Sequence, residues 1–596
     1  MPRFCAVLEP HASDVDIFQM GGESAYCDTH CALGILPNEC PAVVAGLYQY
    51  DSSSAQLMAV GEVTLYNRDE VLRHLDGHHT HGSDGDLLLR LYAQKGVAAF
   101  TLAVGMFVLA IWDGASLLLV RDPVGARTLF YTRVGETWAA ASALRALRRW
   151  PRLPVQLNLA AVRSFLTFAY LPGDETLLEG VLEVLPGCVV HLTLGNDAAL
   201  LNYWEPHEQP WDGDAPPDMY TSHLRQLLEQ VVQSHLPSNQ PVGVFLSGGI
   251  DSSLVAALVA QYHDQPITTY SISFGKEYTD ELAYSGLVAA HCGLPQKILT
   301  VSGQQIAANL ADAVVRLDCP VGDPLTVPNM LLSQAAAADG MQIILNGEGG
   351  DPCFGGPKNL PMVLYELQRT DPDPMARAQA YLVSYRKCYE DLPMLLTQDA
   401  LDDLCDAPPL ERFVQPYLEC DSMQHYLNRL LYCNVRTKGA HHILTKVERL
   451  TASCGLEGRS PLFDQRIVDY AFAIPPTLKL VGTNEKWVLK EAVRDLLPGT
   501  IIDRPKSGMR VPVQHWLHGP IRVLAQELLF GPQARARGLF RRDTLKLWLN
   551  GRGSVWSRQG AKLWLVLTLE LWLRAYLDND EEPLEFAHPR RLWRGW

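Results

Sequence analysis

The stretch VGVFLSGGIDSSLVAALVAQY, residues 242–262, decides the predicted fold. It opens with a short apolar run, which is typical of a strand buried in a parallel sheet. Ser247-Gly248-Gly249 then predicts a tight turn, and the residues from Asp251 onward favour a helix. A strand, a glycine turn and a helix N-terminus direct several unpaired backbone N–H groups to one point, and this geometry binds phosphate.

The side chains of this turn suggest how it would bind its ligand. Gly248 and Gly249 allow a phosphate to approach the backbone closely, while the hydroxyls of Ser247 and Ser252 can donate further hydrogen bonds. Asp251 would repel an anion, so we expect it to hold the Mg²⁺ that accompanies a phosphate. The sequence therefore predicts a loop that binds phosphate and Mg²⁺.

The composition narrows the class of protein. A chain of 596 residues is long enough for two or three domains, and a net charge of -16 disfavours a nucleic-acid partner because phosphates would be repelled. Thirteen cysteines without a CxxC pair, and a start without a long apolar segment, indicate reduced thiols in the cytoplasm. The apolar residues 563–577 include Glu570 and Arg574 and are too few to span a bilayer, so we expect a buried helix and no membrane partner.

One cluster could bind a metal. Cys27, His30, Cys31 and Cys40 lie within a short span and carry donor groups that zinc prefers. The spacing CDTHC fits no common zinc motif, so we favour ordinary free thiols, although the sequence alone leaves the choice open.

The chain divides at EQPWDGDAPPD, residues 208–218, which are rich in proline, glycine and aspartate and are interpreted as a linker. Before it, strands and turns dominate, and GMFVLAIWDGASLLLVRD, residues 105–122, predicts a hairpin across Asp113-Gly114. After it, helical patterns alternate with short apolar strands, as expected for a parallel α/β sheet, and the last third is mostly helical. The predicted domains are 1–207 and 219–596, joined by this linker.

Several motifs carry a family resemblance. SGGIDSS resembles the pyrophosphate loop of the ATP pyrophosphatases, which convert ATP to AMP and pyrophosphate. The second half is similar to the synthetase domain of the asparagine synthetase family in NGEGGDPCFGG (346–356), KVERLTASCGLEGRSPLFD (446–464), NEKWVLKEAVRDLLP (484–498) and RPKSGM (504–509). The first half is similar to the glutaminase domain of that family in YNRDEVLRHL (66–75), SDGDLLLRLYAQKG (83–96), GMFVLAIWD (105–113) and LVRDPVGARTLFY (119–131). The resemblance implies an N-terminal Ntn-type αββα sandwich and a C-terminal α/β ATP-pyrophosphatase domain with a helical extension.

The resemblance also implies roles for individual residues. The family activates a carboxylate with ATP as an acyl-adenylate, which an amine then attacks. Asp251 and Asp351 would share Mg²⁺, and Lys486 would stabilise the addition step. Glu348 would take the proton of the attacking amine, and Lys506 would be a further phosphate contact.

The first domain departs from the family where the glutaminase chemistry resides. Family glutaminases use a cysteine directly after the initiator Met, whereas this chain has Pro2. Cys5 could replace that cysteine only if three more residues were removed, and the usual glycine does not follow it. The Asn-Gly pair that supplies the oxyanion donor is also altered, because Val60 precedes Gly61. We therefore expect a disabled glutaminase domain that serves as a scaffold, and we expect that glutamine is not the nitrogen donor.

Two further departures concern the substrate. Pro352 stands where asparagine synthetases carry an acidic residue, and Glu448 replaces their usual aspartate, which weakens the case for aspartate as substrate. Within the family, β-lactam synthetases and lasso-peptide cyclases join a carboxyl to an amine of the same molecule and also have a disabled glutaminase domain. We therefore predict formation of a lasso-type macrolactam or a smaller lactam, since one bound substrate supplies both groups at high effective molarity. A precursor peptide or a small molecule would be the substrate, and a leader-processing protein is a candidate partner.

Two alternatives remain. An ammonia-dependent asparagine synthetase would use the same adenylation site with free ammonia. A non-catalytic binding protein on the same fold is expected to have lost Asp251, Asp351 or Lys486, and all three are present.

Overall fold

The computed structural model describes residues 3–37, 45–52, 56–76, 82–209, 215–278, 280–505, 508–555 and 558–578. Lys506, Pro2, Cys40 and residues 210–214 of the proposed linker lie outside the described residues. The helix Pro217–His235 begins within the last two residues of that linker, and the domain limits themselves stay a prediction.

The N-terminal part contains two antiparallel sheets of six strands each. The first sheet has the strand order Val181–Glu183, Phe130–Val134, Thr137–Ala141, Phe4–Leu8, Cys31–Ile35 and Glu23–Cys27. The second sheet has the order Ala199–Asn202, Cys188–Leu192, Leu117–Arg121, Gly105–Trp112, Gln56–Leu65 and Gly46–Asp51.

These sheets stack face to face between two layers of helices. Side chains such as Ala6 and Leu33 of the first sheet meet Val108 and Ala110 of the second in one buried core. The outer faces are covered by the helices Asp14–Gln19, Leu144–Arg149 and Leu159–Phe168 on the first sheet, and Arg68–His74, Asp84–Lys95 and Ala98–Leu102 on the second. The predicted αββα sandwich is confirmed.

The predicted hairpin is also confirmed. Gly105–Trp112 pairs with Leu117–Arg121 in antiparallel register. Gly114 has a φ of +91°, and Oδ1 of Asp113 accepts hydrogen bonds from the backbone N–H groups of Ala115 and Ser116. A glycine relieves the strain of this left-handed backbone, which explains why the Asp-Gly pair was a reliable signal.

The C-terminal part is built on a parallel sheet. Its strands follow the order Gln296–Thr300, Ile267–Ser273, Val242–Phe245, Ile343–Leu345 and Glu457–Arg459. Chain order reverses between Val242–Phe245 and Ile343–Leu345, so the loops after these two strands flank a crevice at the carboxyl edge of the sheet. Ligands of open α/β sheets bind at such a point.

Helices surround this sheet and extend beyond it. The longer ones are Pro217–His235, Ile250–Tyr262, Leu282–His291, Gly303–Arg316, Thr326–Ala338, Asn359–Gln368, Pro374–Ser384, Tyr426–Cys433, Thr445–Ala452, Gln465–Ala473, Pro520–Phe530, Arg542–Leu549 and Gln559–Tyr576. Shorter helical turns are Gly350–Phe354, Tyr389–Asp391, Leu392–Leu395, Gln398–Asp402, Leu410–Phe413, Gln415–Leu418, Pro461–Phe463, Pro476–Lys479, Trp487–Ala492, Gly499–Ile502, Val513–Trp516 and Pro532–Arg537. A two-stranded ribbon joins Leu480–Val481 to Asn484–Glu485.

The apolar stretch near the C-terminus forms the helix Gln559–Tyr576, most of which is buried, as predicted. Within the described part of the chain, no helix is both long and apolar enough to traverse a bilayer.

An unusual helix runs between the two halves. The π-helical segment Asn434–Leu444 continues directly from Tyr426–Cys433 into Thr445–Ala452. Such segments are rare and are frequently found at functional sites. Consecutive histidines on it face different partners: His441 Nδ1 lies 3.2 Å from Glu183 of the N-terminal part, and His442 Nε2 lies 3.7 Å from Asp323 of the C-terminal part.

Buried ion pairs join the two halves. Arg449, on the helix Thr445–Ala452, lies 3.1 Å from Asp318 and donates hydrogen bonds to the Thr128 hydroxyl and the Ser142 carbonyl of the sandwich. Arg449 and Asp318 are both almost fully inaccessible to solvent. A buried charge is tolerated only when it is paired and hydrogen-bonded, so this contact fixes the helix against the sandwich.

We expect Arg449→Met to lower the free energy of unfolding by about 3 kcal/mol, because it removes a partner from a buried carboxylate. Urea denaturation followed by tryptophan fluorescence measures the change. The matched control is Arg552→Met, where the arginine is exposed and the loss should stay below about 0.5 kcal/mol. Equal losses in the two variants would contradict the assigned role of Arg449.

Candidate active site

The first element of the site is the turn after Val242–Phe245. Gly248 has a φ of +80°, and a Cβ there would lie 2.5 Å from the backbone N of Ser285, so only glycine fits. The helix Ile250–Tyr262 starts at once after the turn, and its first N–H groups have no acceptor within the helix. The predicted strand, glycine turn and helix are all present, with the helix N-terminus directed to the carboxyl edge of the sheet.

The serines of this loop brace one another. The hydroxyls of Ser247 and Ser252 are 3.0 Å apart, and the Ser252 hydroxyl accepts a hydrogen bond from the backbone N–H of Ser247. Both residues line a cavity at the carboxyl edge of the parallel sheet, together with Gly249. They are thus placed to contact an anion in that cavity.

Arg504 is a cation at the same loop that sequence reasoning missed. Its guanidinium donates to the carbonyl of Gly248 at 3.1 Å, pairs with Glu281 and lies 3.8 Å above the ring of Tyr284. Arg504 is the first residue of the motif RPKSGM, in which the sequence analysis assigned only Lys506 as a phosphate contact. Arg504 braces the loop from outside the cavity, because its guanidinium is committed to these protein groups.

The second element is the loop after Ile343–Leu345. Two of its glycines are required by close packing against the first loop: a Cβ on Gly347 would lie 2.3 Å from the backbone N of Ser252, and one on Gly350 would lie 2.1 Å from Oδ1 of Asp251. The two loops therefore touch, and Asp351 follows directly in the helix Gly350–Phe354.

Lys486 joins the two loops. Its Nζ lies 2.8 and 2.6 Å from the two carboxylate oxygens of Asp251 and 2.5 Å from Oδ1 of Asp351. It precedes the helix Trp487–Ala492 in a left-handed conformation with a φ of +55°, and its side chain is almost fully buried. The three residues that the sequence proposed for metal binding and catalysis are thus brought together, although they come from distant parts of the chain.

The donor set fits a divalent cation. Asp251 and Asp351 offer carboxylate oxygens to one point, as Mg²⁺ requires, and the side chain of Asp351 is 41% exposed towards the cavity that both residues line. A bound Mg²⁺ would be held by these two carboxylates together with phosphate oxygens, and Lys486 would share them. Among the described residues there is no cluster of three or more His, Cys, Asp or Glu side chains that could hold a metal by itself.

The cavity beside this triad has a volume of about 410 Å³. One wall is apolar and suits a purine ring; it is formed by Phe245, Leu246, Ile272, Leu332 and Met509. Glu348 lines the cavity close to Asp351, and its backbone N–H is held by the Asn346 side chain at 3.0 Å.

A second charged group lies elsewhere along the cavity wall, and the sequence did not reveal it. Lys446 Nζ is 2.6 Å from Oδ2 of Asp323, and His442 lies beside the same carboxylate. Burial by itself would lower the pKa of Lys446, but Asp323 and then Glu348 outweigh it and raise that pKa. Burial raises the pKa of Asp323, but the opposite effect of Lys446 and His442 is larger, so the pKa of Asp323 lies below its ordinary value. Asp323 is therefore held as a carboxylate and Lys446 as an ammonium beside Glu348.

Pro352 and Glu448, which both depart from the family pattern, lie in different parts of the structure. Pro352 lines the cavity, so its replacement of an acidic residue does change the wall. Glu448 instead points to the boundary with the sandwich, where it lies 3.1 Å from Arg449 and 3.7 Å from Arg3. Glu448 therefore does not line the cavity beside Asp251 and Asp351, and its bearing on the substrate stays a prediction.

Cys5 has no access to solvent. It lies in Phe4–Leu8, between the neighbouring strands Cys31–Ile35 and Thr137–Ala141, and packs against Ile17. Burial raises the pKa of the Cys5 thiol, so the thiolate needed for nucleophilic attack is disfavoured. Val60 and Gly61 lie within the strand Gln56–Leu65, paired on both sides.

The CDTHC residues form a hairpin turn. Oδ1 of Asp28 accepts hydrogen bonds from the backbone N–H groups of His30 and Cys31, both at 2.8 Å. Cys31 is buried in the sandwich core while Cys27 and His30 are exposed, so the three donor side chains do not share one environment. The spacing is explained by the turn.

We expect Gly350→Ala to raise the dissociation constant of Mg²⁺-ATP by at least about tenfold, because the new methyl group displaces the Asp251 carboxylate. Isothermal titration calorimetry measures this constant. Gly499→Ala is the control, since the nearest atom to its Cβ would be 3.7 Å away. Unchanged affinity in Gly350→Ala would show that Asp251 has no part in nucleotide binding.

Comparison with known proteins agrees with this geometry. The chain is 24% identical over 571 residues to "Asparagine synthetase [glutamine-hydrolyzing] 1" of Bacillus subtilis, covering 90% of this chain and 88% of that protein. It is 26% identical to "Putative asparagine synthetase [glutamine-hydrolyzing]" of Mycobacterium tuberculosis over 88% and 85% of the two chains. It is 24% identical to "Amidase chyE" of Penicillium rubens over 78% of each.

Two family profiles match successive regions. The glutamine amidotransferase domain profile matches residues 46–204, within the sandwich, and the Asparagine synthase profile matches residues 223–574, which include the whole parallel sheet and its cavity. Members of the latter family are ATP-dependent, amide-forming ligases. The second match covers more than half of the chain, and this protein therefore belongs to the Asparagine synthase family.

Proposed function

We propose that the enzyme activates a substrate carboxylate with ATP and Mg²⁺ and closes an amide with an amine of the same substrate, as a macrolactam of the lasso-peptide type or a smaller lactam. The observation that carries this proposal is a contrast within one chain. The adenylation site has its ion triad of Asp251, Lys486 and Asp351, whereas the cysteine nearest the N-terminus, Cys5, is buried in a strand.

The first chemical step is adenylation. A substrate carboxylate oxygen attacks the α-phosphorus of ATP, and the bond from that phosphorus to the bridging oxygen of pyrophosphate breaks. The loop of Ser247, Gly249 and Ser252 would hold the departing pyrophosphate with its N–H and O–H donors. Bound Mg²⁺ would neutralise charge on the phosphates. The apolar wall of the cavity keeps water away from the acyl-adenylate.

The second step is amide formation. The amine nitrogen attacks the acyl carbon, the bond to AMP breaks, and the amine loses a proton. Glu348 is the group we assign to take that proton, because an ammonium cannot attack. Lys486 is fixed by two carboxylates and would place a positive charge beside the developing oxyanion without reorganising. Closing a ring needs both ends in one cavity, and this supplies the effective concentration that a separate amine lacks.

A second candidate is an ammonia-dependent asparagine synthetase. The names of the relatives from Bacillus subtilis and Mycobacterium favour asparagine synthesis, although those names give glutamine as the nitrogen source, and free ammonia could enter the same cavity. Pro352 stands against it, because it removes an acidic side chain from the cavity wall.

The two candidates are separated by one mass-spectrometric assay on the purified full chain with ATP and Mg²⁺. With aspartate and either ammonium or glutamine, we expect neither asparagine nor glutamate to form. With a pool of peptides that have a free N-terminus and one internal Asp or Glu, we expect AMP, pyrophosphate and a product lighter by one water.

The outcomes divide the candidates cleanly. Asparagine with ammonium, in amounts equal to AMP, would replace the lactam proposal by the second candidate. Glutamate release from glutamine would show that the first domain is an active glutaminase. Lys486→Met should abolish AMP formation in every arm, and the matched control Lys546→Met, an exposed lysine remote from the cavity, should leave it unchanged.

A further inference from the structure

Lys446 is a buried cation in the wall of the cavity, and the reaction steps described above do not use it. It lies on the helix Thr445–Ala452 and lines the cavity, and its side chain is only 5% exposed. Among the described residues, its ammonium donates one hydrogen bond, to Oδ2 of Asp323 at 2.6 Å. An ammonium has three N–H groups, so two of them remain available to a ligand in the cavity.

The protein holds this ammonium in a fixed position. Oδ1 of Asp323 accepts a hydrogen bond from the backbone N–H of Leu325 at 3.0 Å, which orients the carboxylate that Lys446 contacts. The helix of Lys446 is anchored through Arg449, which pairs with Asp318 and donates a hydrogen bond to the sandwich. Lys446 can therefore meet a charged ligand without reorganising, which is the condition for strong stabilisation of charge.

His442 is the third member of this group, but it adds no charge to it. Its Nε2 atom lies 3.7 Å from Oδ2 of Asp323, and its ring stacks on that of Tyr170 with 5.5 Å between the ring centres. Burial is the largest influence on the pKa of His442 and lowers it well below its ordinary value, so the imidazole is neutral near pH 7. The negative charge of Asp323 is thus compensated by Lys446, and the neutral ring limits where the carboxylate can move.

Two other lysines at or near the cavity are less suited to bind a substrate carboxylate. Lys486 directs its ammonium to Asp251 and Asp351, the two carboxylates that would hold Mg²⁺. Lys438 also lines the cavity, but within the described chain no hydrogen bond fixes its side chain, and ordering a free lysine costs conformational entropy. Lys446 combines a fixed position with unused donors.

Adenylation needs a cation of this kind. The substrate carboxylate and the triphosphate of ATP are both negatively charged and repel each other as they approach. Mg²⁺ and the first loop would offset charge on the phosphates, but they leave the carboxylate without a counter-charge. Lys446 and Glu348, the group assigned to take the proton of the amine, line the same cavity. A carboxylate held by Lys446 would thus meet ATP and the amine in one space.

We propose that Lys446 binds the reacting carboxylate of the substrate while ATP transfers AMP to it, and that Asp323 is the positioning residue that holds the ammonium for this contact. The inference deepens the proposed function: it rests on the adenylation step and is independent of whether the amine belongs to the same molecule. The N–H groups that Asp323 leaves unused hold one carboxylate oxygen, and the other oxygen is free to attack the α-phosphorus.

Two matched pairs of ligands test the contact on the full chain, with Mg²⁺ and an ATP analogue whose α and β phosphorus atoms are joined by a methylene group, which prevents adenylation. The first pair is a panel of peptides with a free N-terminus, an amidated C-terminus and one internal Glu, and the same panel with Gln in its place. The second pair is aspartate and asparagine. Calorimetry gives the dissociation constants. In at least one pair, we expect the carboxylate to bind at least about tenfold more tightly than the amide.

Variants assign this preference to one lysine. Lys446→Met should reduce it to below about threefold, and Lys446→Arg, which keeps a cation, should retain most of it. The dissociation constant of the ATP analogue should not change in either variant. Lys546→Met removes an exposed lysine and should keep the full preference. A thermal unfolding midpoint equal to that of the unmodified chain ensures that each variant is folded.

A pH profile separates the positioning role of Asp323 from a merely structural one. Burial lowers the pKa of Lys446, but Asp323 and then Glu348 outweigh it and raise that pKa, so the preference of the unmodified chain should stay constant between about pH 7 and pH 9. Asp323→Asn removes the larger of the two raising influences. The pKa of Lys446 then falls, and the preference should decline as the pH rises through this range. This profile also decides the question if Lys446→Met does not fold, because an unchanged profile in Asp323→Asn would contradict the proposal.

The two ligand pairs keep this inference distinct from the lactam proposal. A preference for aspartate over asparagine that depends on Lys446, with none for the Glu peptides, would support the contact and refute the peptide substrate. Absence of a preference in both pairs, or a preference that survives Lys446→Met, would overturn the contact. Weaker binding of the ATP analogue in Lys446→Met, with the preference intact, would also overturn it and would assign the lysine to the nucleotide phosphates.

Discussion

The contact of Lys486 with Asp251 and Asp351 is the interaction on which the site depends. A buried ammonium needs opposite charge, and each carboxylate is supplied by a loop at the end of a different strand of the parallel sheet. The contact therefore fixes the distance between the two loops and places the helix that follows Lys486 against both. The cost of the left-handed backbone at Lys486 is offset by this charge pairing. The same contact holds the two carboxylates at the edge of the cavity, where the proposed Mg²⁺ would need them.

The helix that includes residues 434–444 forms another part of the cavity wall. In a π-helix, neighbours along the chain are turned differently from those in an α-helix, and here His441 reaches Glu183 of the sandwich while His442 faces Asp323. One segment therefore bridges the sandwich and the cavity wall.

The features that could be predicted from the sequence are those that depend on the local backbone conformation. The turn at Gly248 and the hairpin at Gly114 follow from backbone conformations that glycine alone adopts easily, and both are where the pattern placed them. The pair formed by Asp323 and Lys446 could not be predicted, because it joins residues 123 positions apart that have no common motif. The position of Glu448 could not be predicted for the same reason: the sequence shows which residue differs from the family pattern but not which way its side chain points.

Ion pairs across the boundary also show how the C-terminal half depends on the sandwich. The guanidinium of Arg145 lies 2.8 Å from Asp318, and that of Arg127 lies 3.5 Å from Glu457, each pair crossing from the first half to the second. Without the sandwich, Asp318 and Glu457 would each lose one arginine partner beside the helix Thr445–Ala452, although Arg449 and Arg459 would still pair with them. The sandwich therefore supports the helix Thr445–Ala452, which forms part of the cavity wall, and this structural role is independent of any chemistry in the sandwich itself.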